Sequence, residues 1–476
     1  MIISASNDVT LRRRVKPPLI FSKPFNMKSG MRAITRQVQL AVFFTLAANQ
    51  TFARNSFQTP LDSIVNRALQ VSDHVAINKL KLEESAEKIK QIDMERLPTA
   101  KVSGGFSEAF IFTSKFALPG MPQPLSLPDH TSLYMGTLSI TQPIYAGGKF
   151  NYAAKSARLM QQLATNQLQL GKEEVAQQVI TLYLNLYKTM NAIQIADKNL
   201  QEIGLRLDEQ KKFEAQGLAT RNDVLRWELQ KANTDLSKMQ FETDRKVLNY
   251  SLCVLLELPE ETDIIPNLPE QPGIVAQEAG GPLQQALENR LELANAQKQI
   301  QLAGIQVKNV QADRLPQLGA AVNGYYINPT SRFIPGVNQY LLPLTIGLNL
   351  SWSPTSLYQS THKINEAKLQ AKEAEKARDL TTNQIQTQVY QQYEAYKQAL
   401  NKIEVLKVAV TQSQENDRIM QAKYQNQVAT TTDRIDAEAM LFQSQLNLVV
   451  AQTDALQAYY NLAQATGTLT QMFNLK

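Results

Sequence analysis

The stretch that decides the fold is YLLPLTIGLNLSW, Tyr340 to Trp352, in which every second residue is apolar. A period of two residues predicts a β-strand rather than a helix. An aromatic residue at each limit of the apolar face, opposite a face that becomes small and polar, is typical of a strand that crosses a lipid bilayer. A half-buried strand of a soluble sandwich would show the same alternation, so this stretch alone leaves both interpretations open. The apolar set is Tyr340, Leu342, Leu344, Ile346, Leu348, Leu350 and Trp352.

The composition of the whole chain excludes several classes of function. Its 476 residues carry a formal charge of +6, but the leader up to Ala53 holds eight basic residues against the single acid Asp8, which leaves about −1 for the rest. The high isoelectric point therefore does not indicate a nucleic-acid partner. Cys253 is the only cysteine, and the three histidines have no Cys or acidic partner at ligand spacing. With no catalytic motif either, the sequence predicts no enzyme, no metal and no cofactor.

The leader predicts export from the cytoplasm. From Met31 to Ala53 the chain supplies two arginines, a short apolar run around residues 40–46, and small residues before a plausible cleavage after Ala53. A disordered basic tail is the alternative, because the apolar run is short.

Beyond the leader, the absence of proline marks two very long helical regions. No proline occurs between Pro143 and Pro259, and none occurs from Thr355 to the last residue, Lys476. Apolar residues inside both regions keep a spacing of three and four residues, which predicts coiled-coil-like packing. An unbroken helix of about 67 residues would span about 100 Å and would need neighbours along its length.

The two helical regions are copies of one another. The segment GLATRND, 217–223, corresponds to VATTTD, 428–433, with matching Ala, Thr and Asp residues offset by 210 positions. Gln142-Pro143 answers Ser353-Pro354 upstream, and the first copy carries about seven extra residues in the proline-rich loop 118–130. The chain is therefore a tandem duplication, in which each copy reads helix, strand, loop, strand, very long helix, turn, helix.

Each copy contributes two strand candidates, about 100–113 and 131–145 in the first, and 318–328 and 340–352 in the second. Four strands cannot close a membrane barrel, because single-chain outer-membrane barrels begin at eight strands. An open sheet in lipid would leave backbone groups unpaired at several kcal/mol each. Several chains must then share one barrel, and three chains of four strands make twelve.

Taken together, these features resemble those of the outer-membrane efflux protein family, the TolC-like exit ducts. The resemblance rests on the duplicated architecture together with QPIYAGGK, Gln142 to Lys149, at a strand-to-helix join and GLATRNDV, Gly217 to Val224, at a helical turn. It implies an α+β membrane protein: a homotrimer whose 12-stranded β-barrel continues into a 12-helix periplasmic α-barrel, with tandem-duplicated β-hairpins and very long helices in each chain. No phosphate-binding motif accompanies Gly147-Gly148, so these glycines are interpreted as part of the join.

That resemblance divides the chain into nine parts. They are the leader 1–53 with a signal peptide at about 31–53, N-terminal helices 54–96, a first transmembrane β-hairpin 97–146, a first long helical hairpin 147–256, an equatorial linker 257–281, a helix of the second repeat 282–314, a second transmembrane β-hairpin 315–354, a second long helical hairpin 355–467, and a C-terminal tail 468–476.

The turns of the two helical hairpins contain the candidate functional residues. Thr220 to Asp223 and Thr430 to Asp433 both have the Thr-x-x-Asp form of a helix N-cap. Asp436 follows Asp433 on the same face, so three chains would bring six carboxylates around one axis, an arrangement that selects cations. The resemblance implies a periplasmic entrance narrowed by Asp223, Asp433, Asp436 and Tyr424. Asp223 is interpreted equally as cap or gate, and the other two acids chiefly as gate.

The resemblance also makes the turns the surface that faces an adaptor protein. Gln427 and Ala429 depart from the glycine and arginine of the family's second turn, which leaves the inter-helix tether of that arginine in doubt. The adaptor-facing residues are Gly217, Leu218, Ala219, Thr220, Val428, Ala429 and Thr430.

The predicted function is passive transport. The chain would be the outer-membrane channel of a tripartite efflux or type I secretion system, working with a periplasmic adaptor and an inner-membrane pump, with a long periplasmic portion. The alternative is a soluble or exported coiled-coil scaffold without channel activity, which would share the long helices but would not need a signal peptide or alternating, aromatic-capped strands.

Overall fold

The computed structural model describes residues 56–110, 112, 115–116, 120, 122, 125–126, 130–267, 280–329 and 342–473. The leader, Tyr340, and parts of the 118–130 loop, the predicted linker and the C-terminal tail lie outside the described residues. The described residues belong to one unit that begins at Ser56.

Strands and helices alternate in two similar series. The strands are β1 (Ser56–Pro60), β2 (Thr99–Phe110), β3 (Lys115–Phe116), β4 (Leu125–Ser126), β5 (His130–Ala146), β6 (Asp263–Asn267), β7 (Gln317–Pro329) and β8 (Leu344–Ser351). The helices are α1 (Leu61–Val71), α2 (Asp73–Met94), α3 (Lys149–Ala215), α4 (Arg221–Leu255), α5 (Gly280–Asn289), α6 (Leu291–Gln311), α7 (Ser356–Gln425), α8 (Thr431–Ala465) and α9 (Leu469–Met472), with a 3₁₀ turn at Ala312–Arg314.

The four long predicted strands are confirmed, and they form one antiparallel sheet in the order β2-β5-β7-β8. The last strand is shorter than predicted, because it begins at Leu344 and ends at Ser351. Pro343 has no N–H to donate to a ladder, which accounts for the late start. Leu342 and Trp352 therefore flank β8, and the Trp352 indole donates to the backbone oxygen of Arg314 at 3.0 Å.

The sheet has one apolar and one polar face, as the alternation in the sequence predicts. In the register, Ile346 lies opposite Val322, and Leu138 lies opposite Val102 and Gly324. Along the other face, hydroxyl and amide groups contact one another across the strands: Thr99 with Thr141 at 2.8 Å, Ser103 with Thr137 at 2.5 Å, and Ser139 with Asn323 at 2.6 Å. The apolar side chains are exposed in the single chain, with Ile346 at 76%.

The proline-free regions form the expected helical hairpins. Helices α3 and α7 contain 67 and 70 residues, and α4 and α8 contain 35 each. At 1.5 Å rise per residue, α3 and α7 are each about 100 Å long. Helix α3 packs against α4 and α8, and α8 packs against α7, so α4 and α7 are the outer members of this four-helix row.

Glycines make the predicted join between sheet and helix. Gly147 and Gly148 have φ of +65° and +88°, a region that other residues avoid, and α3 begins immediately after them. A Cβ on Gly147 would lie 2.8 Å from the backbone oxygen of Ala312. The sequence therefore needs glycine here for both conformation and space.

The duplication is visible in the element order, with one difference in the extra loop. Each series contains two long antiparallel strands, a very long helix, a tight turn and a 35-residue helix. Only the first series has a short antiparallel ribbon after its first strand, in which Lys115–Phe116 pairs with Leu125–Ser126 of the proline-rich loop, as far as the described residues show. None of the helices in the described part combines the length and the apolar character that a membrane span needs.

Candidate functional site at the paired helical turns

The two hairpin turns reverse the chain by the same geometry. At the end of α3, Gly217 has φ +76° and the Leu218 N–H donates to Phe213 O at 2.8 Å. At the end of α7, Gln427 has φ +60° and the Val428 N–H donates to Lys423 O at 2.8 Å. Both are helix ends closed by a left-handed residue and a six-to-one hydrogen bond. Gln427 adopts this conformation although it is not glycine, so the second turn is strained.

Both following helices begin with the predicted capping box. The Thr220 hydroxyl accepts from the Asp223 N–H at 3.3 Å, and Asp223 accepts from the Thr220 N–H at 3.0 Å. Thr430 and Asp433 repeat this exchange at 3.2 and 2.9 Å. The capping interpretation is therefore confirmed for Asp223 and Asp433, while a gating role of either residue stays a prediction.

The capping contacts also hold both carboxylates ionised. Hydrogen bonds from the Thr430 hydroxyl and N–H lower the pKa of Asp433 below its usual value. For Asp223, partial desolvation opposes ionisation, but the Thr220 hydroxyl and N–H, the Thr431 hydroxyl and the Arg226 charge together lower the pKa. Each turn thus carries a fixed negative charge at neutral pH.

Further contacts near these turns also join the first hairpin to the second. The Arg226 guanidinium on α4 donates to the Thr432 hydroxyl on α8 at 2.8 Å. The Tyr424 hydroxyl in the last turn of α7 donates to the buried side chain of Gln210 on α3. At the second turn, where the family's glycine and arginine are absent, Arg226 of the opposite hairpin makes an inter-helix contact.

The structure brings all four predicted entrance residues to the same end of the hairpins. Asp223 and Asp433 lie in the first turns of α4 and α8, Tyr424 lies in the last turn of α7, and Asp436 lies one turn beyond Asp433. Asp436 is exposed, and it has no hydrogen bond or ion pair with any other described residue. Among the residues predicted to face an adaptor, Leu218 and Val428 are exposed apolar side chains at matching positions of the two turns.

Sequence reasoning missed a buried charge cluster next to the turns. Arg434 on α8 is 1% exposed, and its guanidinium donates to Asp417 on α7. Glu438, one turn further along α8 and 2% exposed, lies 3.5 Å from the same guanidinium. Asn199 on α3 donates to Glu438 at 3.4 Å and lies 3.5 Å from the Thr234 hydroxyl on α4. The cluster therefore connects all four long helices.

One signal in the sequence could have indicated this cluster. Arg434 and Glu438 are spaced i,i+4 in a helix whose inward positions are otherwise small or apolar, which suggests a pair that faces a neighbouring helix. The partner Asp417 could not be found this way, because it lies on another helix. Within the described residues, no group of three His, Cys, Asp or Glu side chains could hold a metal ion.

A long helical bundle with a small, open, two-faced sheet at its end is the architecture of trimeric outer-membrane channels. The model of the outer membrane efflux protein family matches residues 283–468. This match confirms the resemblance for that part of the chain. No curated protein matches the sequence.

Solved outer-membrane channels share the fold over most of the chain. VceC of Vibrio cholerae has a TM-score of 0.69 at 18% identity, covering 86% of this chain and 96% of its own. CmeC of Campylobacter jejuni has a TM-score of 0.70 at 13% identity, covering 86% of each chain. MtrE of Neisseria gonorrhoeae in its open state has a TM-score of 0.66 at 16% identity, covering 86% and 89%. At these identities the likeness establishes the fold.

Proposed function

We propose that three copies of this chain form an outer-membrane channel that serves as the passive exit duct of a tripartite efflux or type I secretion system. The observation that carries the proposal is a four-stranded sheet with an exposed apolar face, joined directly to helices about 100 Å long. Such a face does not fit a soluble scaffold, because an apolar sheet exposed to water promotes aggregation.

The sheet supports the shared barrel through its open edges. Within the described residues, β2 and β8 each pair on one side only, so both edges of the sheet present unpaired backbone groups. In lipid, each unpaired group is unfavourable by several kcal/mol, whereas joining β8 of one copy to β2 of the next would satisfy them. Three copies would close a barrel of twelve strands, with the polar face inward.

The outer helices support the same assembly below the sheet. Helix α4 carries one exposed apolar stripe at heptad-like spacing, and α7 carries another on the opposite side of the row. Stripes of this kind require a partner helix, and α7 of the next copy is suitably located for α4. The α4 stripe consists of Leu225, Leu229, Leu236, Met239, Val247, Tyr250 and Val254, and the α7 stripe includes Tyr358, Leu369, Leu380, Val405, Val408 and Ile419.

The turns support an entrance on the periplasmic side. In a trimer the exposed carboxylates of Asp433 and Asp436 would form a ring of six negative charges, which attracts cations into the duct. Asp223 and Tyr424 would narrow the same end. The contacts of Arg226 with Thr432 and of Tyr424 with Gln210 hold the two hairpins together there, so they resist opening.

The exposed turns also support docking of a periplasmic adaptor that connects the duct to an inner-membrane pump. Leu218 and Val428 offer two matched apolar contacts per chain, six per trimer. A photo-crosslinking amino acid at either position in intact cells should capture one adaptor protein. The same probe at Met160, an exposed apolar position near the other end of α3, should not capture it. Equal capture from Met160 would contradict docking at the turns.

The function is tested by fractionation and conductance. The protein should be recovered from the outer-membrane fraction, and the purified trimer should form cation-selective pores in planar bilayers. A protein that stays in the soluble fraction and forms no pores would support the coiled-coil scaffold instead.

A further inference from the structure

The cluster around Glu438 contains one more buried acid than its basic groups balance. The groups that act on Glu438 are Arg434 on its own helix, Asp417 on α7, and Glu202 and Arg206 on α3. From α4 the neighbouring polar group is the uncharged Thr234, which reaches Glu438 through Asn199. Glu202 is exposed and Arg206 pairs with Glu209 at 3.4 Å, so the charges held between the helices are the acids Glu438 and Asp417 and the single base Arg434.

The contacts within the cluster single out Glu438 as the surplus group. The Arg434 guanidinium is engaged by Asp417, to which it donates a hydrogen bond. Glu438 Oε1 accepts only a long hydrogen bond from Asn199, and its buried Oε2 lies 3.5 Å from Arg434 Nη2 but accepts no hydrogen bond from the described residues. A buried carboxylate oxygen without a donor is unfavourable in the ionised form and favourable in the protonated form.

We propose that Glu438 is a proton-binding site of the helical region, and that its charge state sets how firmly α8 is held against α3 beside the turns. Binding one proton leaves Arg434 and Asp417 as a balanced pair. It also converts an unsatisfied acceptor into a hydroxyl that can donate. Losing the proton leaves an excess negative charge buried between helices, which weakens their packing.

The titration falls in the physiological range. Burial, more than the opposing attraction of Arg434, raises the pKa of Glu438 from 4.5 to about 7. For an acid whose pKa is raised on folding, the folded state loses stability as the pH rises from about 4.5 to about 7, and the loss is complete above that. If the turns form the entrance of a channel, which rests on the proposed function, the entrance opens more easily at pH 8 than at pH 6.

A buried tryptophan next to the cluster allows a direct test. Trp227 on α4 packs with Ile203 on α3 and with Ile435, which directly follows Arg434. The chain contains two tryptophans, so Trp352→Phe leaves Trp227 as the sole reporter. Its emission spectrum in the detergent-solubilised full-length protein should show one transition between pH 5 and 9 with a midpoint near 7. This readout requires no channel activity, so it can fail or succeed independently of the proposed function.

Matched variants assign the transition. Glu438→Gln should abolish it. Glu173→Gln should leave it intact, although burial also raises the pKa of Glu173 to about 7, because Glu173 has different charged neighbours, Arg290 and Glu292. Glu202→Gln removes one repelling charge and should move the midpoint to lower pH, which keeps the test decisive if Glu438→Gln fails to fold. A transition that persists in Glu438→Gln, a midpoint unmoved in Glu202→Gln, or no transition in the parent would overturn the proposal.

Discussion

At the scale of single residues, the two turns differ at one informative position. Gly217 and Gln427 occupy the same left-handed place at the ends of α3 and α7, but only Gly217 does so without a Cβ. A non-glycine residue in the left-handed region lowers the free energy of unfolding by about 1–2 kcal/mol. Replacing it with glycine recovers only part of this free energy, because glycine also gives the unfolded chain more conformational freedom. We therefore expect Gln427→Gly to stabilise the protein by about 1 kcal/mol.

Thermal unfolding of the solubilised protein measures this effect. Gln427→Gly should raise the midpoint temperature of unfolding. Gly217→Ala adds a Cβ to the left-handed residue of the matching turn and should lower that midpoint. An unchanged or lower midpoint for Gln427→Gly would show that the second turn is not strained.

The acids of the second turn should separate into different roles. Asp433 exchanges hydrogen bonds with Thr430, whereas Asp436 has no such partner among the described residues. Asp433→Asn together with Asp436→Asn removes six charges per trimer and should lower cation selectivity in planar bilayers. The wild-type selectivity should itself weaken as salt shortens the Debye length from about 10 Å at 0.1 M to about 3 Å at 1 M.

Alanine substitutions separate charge from capping. Asp433→Ala should lower the unfolding midpoint because it breaks the capping box, while Asp436→Ala should leave the midpoint unchanged. If the double Asn variant keeps wild-type cation selectivity at low salt, the carboxylates only stabilise the start of their helix and the gate hypothesis is wrong.

At this scale the sequence predicted local features and missed distant ones. The capping boxes follow from Thr-x-x-Asp spacing, because both partners lie within four residues of each other. The contacts of Arg226 with Thr432 and of Arg434 with Asp417 join different helices. Such contacts depend on how the helices pack, and no local pattern encodes them.

At the scale of single elements, β8 offers the sharpest test of the sheet's two faces. Ile346 lies on the apolar face opposite Val322, while Thr345 lies on the polar face and donates to Asn323 O at 3.3 Å. An arginine on the lipid face near the middle of a membrane is unfavourable by about 2–4 kcal/mol. We expect Ile346→Arg to reduce the yield of assembled protein strongly, and Thr345→Arg to reduce it far less.

The yield of membrane-extracted, folded protein measures both variants, because each adds the same side chain to the same strand. Equal defects would show that the faces are assigned wrongly. The faces themselves could be predicted from the alternation in the sequence. The strand's first residue could not be predicted that way, because Leu342 continues the apolar pattern whereas Pro343, on the other face, cannot donate to the ladder.

At the scale of the whole molecule, the exposed edges and apolar stripes of one chain are the surfaces that the proposed trimer would cover. Strands β2 and β8 are the edge strands of the sheet, and they leave backbone groups open. Helices α4 and α7, which carry the apolar stripes, are the outer helices of the four-helix row.

Leu229→Gln with Leu236→Gln would interrupt the α4 stripe and should lower the fraction of trimer. Lys231→Gln with Asn233→Gln changes exposed residues outside the stripe on the same helix and serves as the control. Equal trimer fractions for both pairs would contradict a subunit contact along this stripe.

The number of chains in the membrane-extracted protein tests the central claim most directly. The mass of the detergent-solubilised particle, corrected for bound detergent, should equal three chains, with the β-sheet signal of circular dichroism lost when the trimer is dissociated. Four strands per chain leave the sheet edges unpaired in a monomer, so assembly and a stable sheet should be inseparable. A stable monomer that is extracted from the outer membrane with its β-sheet signal intact would contradict the account.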